Sequence, residues 1–194
     1  LHLCDRRQRQ MCIRDRKDDM WGYNRYTKQT VNIGSAFLQN EWKNEKWSIL
    51  LGGRLDKHNL IDHVIFSPRA NLRFNPSEDI NLRLSYSSGF RAPQAFDEDL
   101  HIENVGGTVS MIERAKNLKE EKSQSFSASA DMYHRFGAFQ VNFLVEGFYT
   151  RLSDVFVLEN IGERDGILIK ERRNGSGAKV LGPVSYTHLR AHET

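Results

Sequence analysis

"SPRANLRFNPSEDINLRLSYSS", residues 67–88, decides the fold. In its first half Pro68, Ala70, Leu72 and Phe74 alternate with Arg69, Asn71 and Arg73; in its second half Ile80, Leu82, Leu84 and Tyr86 alternate with Asn81, Arg83, Ser85 and Ser87. A strand points successive side chains to opposite faces, so a period of two predicts two strands, each with one apolar and one polar face. The residues between them, "NPSED" at 75–79, have turn composition and make the pair a hairpin.

The same reading extends outward. "SAFLQNEWK" (35–43) and "WSILLGGRLD" (47–56) alternate in the same way across the short link "NEK". Downstream, "SQSFSASADM" (123–132) and "FQVNFLVEGFYT" (139–150) form a further pair. Short connections fall near 43–46, 75–79 and 134–138, and long ones near 57–66, 89–122 and 153–168. Short turns at one end of the strands and long loops at the other are the pattern of an outer-membrane barrel, whose strands need about 9–11 residues to cross a bilayer.

Alternation alone also suits a soluble β-sandwich, which turns its apolar face inward. The aromatics favour the barrel. Trp42 and Trp47 flank one short turn, Phe74 another, and Phe136 and Phe139 a third, where a girdle at the membrane interface would sit. The expected fold is therefore all-β: an antiparallel, membrane-spanning β-barrel, represented by about six to eight strands of a larger one.

The two ends read differently. Written as ATG TGT ATA AGA GAC, "MCIRD" (11–15) has the reverse complement GTC TCT TAT ACA CAT, which translates as "VSYTH" (184–188). An inverted pair of this kind resembles the adapters ligated to both sides of a sequencing fragment. Residues 1–16 and 183–194 are therefore expected to be adapter-like and disordered, leaving 17–182 as an interior part of a barrel domain. The alternative is a basic arm for nucleic acid, since Arg6, Arg7, Arg9, Arg14 and Arg16 cluster.

The ends also distort the composition. They hold six of the 28 basic and three of the 25 acidic residues, so the formal charge of +3 comes from them and the remainder is neutral. Both cysteines, Cys4 and Cys12, lie there too, which leaves no disulfide framework and no thiolate site. No partner nucleic acid is expected.

Three segments carry a family resemblance: "GGRLD" (52–56), "SPRANLRFNPSEDINLRLSYSSGFRAPQAFDEDL" (67–100) and "NLKEEKSQSFSASAD" (117–131). In order, spacing and wording they resemble the TonB-dependent receptors of bacterial outer membranes. There a strand ending GxRxD precedes a hairpin that runs into GFRAP, followed by a segment like NPxLKPExSxSxExG. "RRNGSGAKVLG" (172–182) is similar to a later strand of the family. Ala115-Lys116 stands where Asp-Pro is common, and Glu120 where Pro is common.

The resemblance implies a barrel of roughly 22 strands with a plugged lumen in the outer membrane of a Gram-negative bacterium. It implies import of a scarce, bulky cargo such as an iron chelate, haem, cobalamin or a glycan, driven through the TonB complex. The plug domain that contacts TonB would lie upstream. Outer-membrane lipid would surround the wall. A passive porin or an adhesin barrel would share the strand pattern, and a soluble glycan-binding sandwich is the third reading.

Individual residues divide by face. Arg54, Arg69, Arg73 and Arg83 fall in the polar register, and Arg91 continues it; in a barrel they would line the lumen, where guanidinium groups pair with carboxylates of a plug or of neighbouring strands. Pro93 ends the pairing of its strand. The loop beyond it offers Asp97, Glu98 and Asp99 as hard oxygen donors for cargo, although three adjacent acids cannot face one calcium ion without a sharp turn and no glycine sits among them. The position of His101 resembles that of the loop histidine that ligates iron in haem-receptor subtypes of the family; a lone loop histidine that is merely solvated is the alternative. There is no GxSxG, HExxH or GxxxxGK, so no enzyme, catalytic residue, resident metal or cofactor is expected.

Overall fold

The computed structural model describes residues 8–20, 25–94, 103–105, 108–137 and 139–191. Twelve strands are present among them: β1 (Gln8–Met20), β2 (Arg25–Lys43), β3 (Trp47–His58), β4 (Val64–Ser77), β5 (Ile80–Arg91), β6 (Glu103–Val105), β7 (Thr108–Arg114), β8 (Glu121–Phe136), β9 (Phe139–Ser153), β10 (Phe156–Arg164), β11 (Ile167–Asn174) and β12 (Ala178–Ala191). Eight form one antiparallel meander in the order β1-β2-β3-β4-β5-β8-β9-β12, and this sheet is open. The other four form a smaller sheet, β10-β11-β7-β6. No helix among the described residues is long and apolar enough to cross a membrane, a criterion silent about barrels, which cross with strands.

The register of the large sheet sorts side chains into rows. Leu72 stands opposite Ile49 and Leu84, and Leu84 opposite Ala128; one position along, Ser85 stands opposite Asn71 and Ser127. Each face is thus uniform across several strands. The apolar face is uncovered: Phe66 is 59% and Leu84 55% exposed, values that would be costly in water and are the ordinary condition of a lipid-facing wall. Among the described residues one small apolar core cluster forms, Ile61, Ile65 and Ala92 with Phe90 against them, at the end where the long connections emerge.

At the opposite end the turns are tight. Asn44 Oδ1 accepts the amides of Lys46 (3.0 Å) and Trp47 (2.7 Å), closing the β2–β3 turn. Trp47 stacks on Phe74 with ring centroids 4.0 Å apart, and Trp42, Phe136 and Phe139 are exposed nearby in the strands that flank these turns.

Three expectations need correction. The 57–66 connection shrinks to five residues, because Asn59 ties back to β2 through Asn32 and Thr30 and lets β3 and β4 extend. The two other long connections are not plain loops: β7 and β11 pair in parallel, Ile169 opposite Met111, and join both connections into one sheet. That pairing buries Ile112 and Ile169.

The third concerns the ends. Gln8–Met20 and Ala178–Ala191 are strands where disorder was expected over 1–16 and 183–194. A sheet edge offers unpaired amides and carbonyls to any chain that can extend beside it, whatever its side chains. On β12 the pairing does outrun the pattern: Ser185 stands opposite Val145 and Thr187 opposite Phe143, so polar residues enter the apolar rows beyond Leu181.

Candidate functional site

The polar face is built around "GGRLD". Arg54 and Asp56, two apart on one strand, share a face, and Arg54 Nε donates to Asp56 Oδ2 at 2.8 Å. Asp56 is only 2% exposed, and its second oxygen accepts the hydroxyl of Ser35 on β2. Gly53 serves the other face: a Cβ there would lie 2.6 Å from the Phe66 ring, so the glycine makes room for an aromatic lying over the strand. The motif is a physical unit that pins β2, β3 and β4 together.

Beyond it the wall carries hydroxyls and arginines. Ser85 and Ser127 hydroxyls meet at 2.8 Å, Ser125 and Thr150 at 3.0 Å, and Ser48 donates to Glu41 at 2.6 Å. Arg83 Nε donates to Asn81 Oδ1 at 2.8 Å. Arg73 stands directly opposite Arg83, and Arg69 opposite Ser87. Among the described residues neither Arg69 nor Arg73 has an ion pair. Arg91 lies with its guanidinium 5.6 Å from the centre of the Phe156 ring, at the base of the small sheet. The five arginines therefore share one face but do not converge on one point.

The mouth is held by residues that the strand pattern does not single out. Asn174 Oδ1 accepts the Lys119 amide at 2.7 Å, while its Nδ2 donates to the carbonyls of Lys119 (3.1 Å) and Asp154 (2.8 Å). One side chain thus clamps the end of β11 to both long connections. Glu120 is buried, with Lys122 Nζ at 3.0 Å and His63 Nε2 at 3.1 Å from one carboxylate oxygen. Burial raises the Glu120 carboxyl; the Lys122 hydrogen bond, its own backbone amide and the charges of Lys122 and His63 outweigh that and leave it below the ordinary glutamate value. The only sequence signal for the clamp was the Asn before glycine in "RRNGSG".

Asp97, Glu98, Asp99 and His101 lie outside the described residues. Among the described residues no group of three or more His, Cys, Asp or Glu side chains is placed to hold a metal ion.

The family model for "TonB dependent receptor-like, beta-barrel" matches residues 6–179. The chain belongs to the TonB-dependent receptor family. No curated protein matches it by sequence. Among solved structures it is similar to the siderophore receptor PirA from Pseudomonas aeruginosa, with a TM-score of 0.70 and 16% identity over 83% of this chain and 32% of that one. It is also similar to the Serratia marcescens hemophore receptor HasR, solved with its hemophore HasA and heme (TM-score 0.66, 14% identity, 84% and 32% covered). A third is the FrpB iron transporter from Neisseria meningitidis (TM-score 0.63, 16% identity, 85% and 25% covered).

At these identities the likeness shows the fold. The chain spans about a third or less of the length of these similar solved structures. Eight strands of one open meander, matched to part of a longer barrel, account for a sheet that does not close. Members of this family are receptors and transporters rather than enzymes, and they reside in the outer membrane of Gram-negative bacteria.

Proposed function

We propose that this chain forms part of the wall and mouth of a receptor that imports a scarce, bulky nutrient across the outer membrane with TonB-derived energy. The observation that carries it is the division of one sheet into an uncovered apolar face and a polar face bearing Arg69 and Arg73, neither of which has an ion pair among the described residues. A passive pore needs no counter-charges for such a wall. A receptor whose lumen is filled by a separate domain supplies them as carboxylates.

Iron-bearing cargo has support from the similar structures, whose names speak of siderophores, iron and a hemophore. Haem, cobalamin and glycans belong to the same proposal, with Asp97, Glu98, Asp99 and His101 as the loop residues that would meet cargo. The adapter origin of residues 1–16 and 183–194 also stands as a proposal, supported by the loss of alternation along β12. The test is uptake by a strain carrying the full receptor gene, with radiolabelled ferric siderophore as cargo. Uptake that needs both the gene and an intact TonB complex is the expected result. Uptake that persists without TonB would indicate a passive pore.

A further inference from the structure

The residue after the Asn174 clamp is Gly175, and the pair brings a chemistry of its own. The backbone nitrogen that follows an asparagine can attack the side-chain carboxamide carbon and close a five-membered succinimide. Glycine is the most permissive residue in that place, because no Cβ hinders the approach and its backbone turns freely.

Packing also calls for glycine here. A Cβ on Gly175 would lie 2.9 Å from Val157 Cγ1, so a larger residue would force the end of this segment off β10. The Gly175 amide donates to the Val155 carbonyl at 2.7 Å, which seats the chain against the start of β10.

The fold holds both reacting groups back. The nucleophile is the Gly175 nitrogen, whose N–H is committed to Val155. The electrophile is Asn174 Cγ, whose carboxamide is held by the Lys119 amide and by the carbonyls of Lys119 and Asp154. Asn174 itself sits in strand register opposite Phe156. Attack requires the side chain to swing back over its own backbone, so the clamp must open first. Water then has ready access: Ser176 and Gly177 are exposed and border a hollow of about 430 Å³ that Ser153 and Asp154 also line.

We propose that Asn174-Gly175 is a site of self-modification: Asn174 deamidates when the clamp opens, and the product cannot close it again. The bond from the Gly175 nitrogen to Asn174 Cγ forms as the Cγ–Nδ2 bond breaks, and the Gly175 amide proton leaves with the Nδ2 group as ammonia. One water then opens the ring at either carbonyl, giving aspartate or isoaspartate.

Both products differ from asparagine at the points where the clamp acts. A carboxylate has no hydrogen to donate, so the carbonyls of Lys119 and Asp154 would face a negative oxygen instead of an N–H. Isoaspartate also routes the main chain through the former side chain, and the added methylene would lift Gly175 away from Val155 and Val157. The conversion is one-way, so the small sheet of each molecule comes loose with age. Neither the cargo nor the face that meets lipid enters into it.

The test is peptide mapping by mass spectrometry of the full receptor, aged in warm, mildly alkaline buffer either folded in detergent or unfolded in guanidinium. Conversion at residue 174 is expected to be roughly a hundredfold slower in the folded receptor, because three hydrogen bonds at about a factor of five each guard it. Lys119→Pro removes the amide that donates to Asn174 Oδ1 and should recover about a factor of five. Hydrogen exchange across β7, β10 and β11 should rise in step with conversion, and Asn174→Asp should show the raised exchange from the start. Gly175→Ala with Val157→Ala, which makes room for the methyl group, should slow conversion and hold exchange constant during ageing. Equal rates in the folded and unfolded receptor would overturn the proposal, as would a converted fraction whose small sheet exchanges like the unconverted one. So would an absence of conversion in folded receptor carrying Lys119→Pro. If Asn174→Asp does not fold, the aged unaltered receptor gives the same exchange measurement on a chain that folded before it changed.

Discussion

Arg73 and Arg83 stand directly opposite each other across β4 and β5, on the face of the sheet that carries the hydroxyl ladder. Opposed cations cost roughly 0.2–1 kcal/mol when nothing lies between them. In the isolated wall Arg73→Gln should therefore be neutral or slightly stabilising. In a receptor with a filled lumen the same change should remove a charge-assisted contact and lower stability by about 1–3 kcal/mol. Melting of the full receptor and of a variant lacking its lumen-filling domain checks both signs.

Asp56 is the most constrained acid of the wall, nearly inaccessible and shared between Arg54 and Ser35. Asp56→Ala leaves the Ser35 hydroxyl without its acceptor and Arg54 without its partner. The expected cost is about 1–3 kcal/mol, and Asp56→Asn should recover part of it. Denaturant midpoints of the refolded receptor report the difference.

Asn174→Ala removes three hydrogen bonds that clamp the small sheet to residues 119 and 154. At about 1 kcal/mol each in a partly wet setting, docking should weaken by about 1–3 kcal/mol. Hydrogen exchange should rise across β7, β10 and β11 while β3, β4 and β5 stay protected. A uniform rise would show that the clamp supports the whole wall.

Glu120 supplies a pH dependence. Its folded value lies below the ordinary one, so the unfolded state binds the proton first. The stability it contributes is complete above the ordinary glutamate value near 4.3 and is lost as pH falls through the depressed one. Exchange at the amides of 119–122 should accelerate in that acid window, and Glu120→Gln should flatten the dependence. His63 and Lys122 are the charged groups that face the carboxylate.

The strands of the large sheet were legible because their neighbours differ on the two sides, and a period of two records that difference residue by residue. The small sheet was not. β10 leaves nearly all of its side chains exposed, β11 is half-buried or buried on both sides, and β7 pairs in parallel with a strand almost sixty residues away, so no local alternation announces them. The arginine row could be read from parity, yet the confrontation of Arg73 with Arg83 exists only once the register between strands is known. Asn174 acts through backbone groups of Lys119 and Asp154 and Glu120 through the side chains of His63 and Lys122, and neither clamp leaves more than a slight trace in the sequence.

Everything said of the wall depends on which face meets lipid, and neighbouring residues on β5 and β8 test this most directly. Spin labels placed singly at Leu84, Ser85, Phe126 and Ser127 of the reconstituted receptor should alternate in collision rate. Positions 84 and 126 should respond to oxygen dissolved in the bilayer, and 85 and 127 to a water-soluble nickel chelate. The opposite phase, or no period of two, would contradict the account.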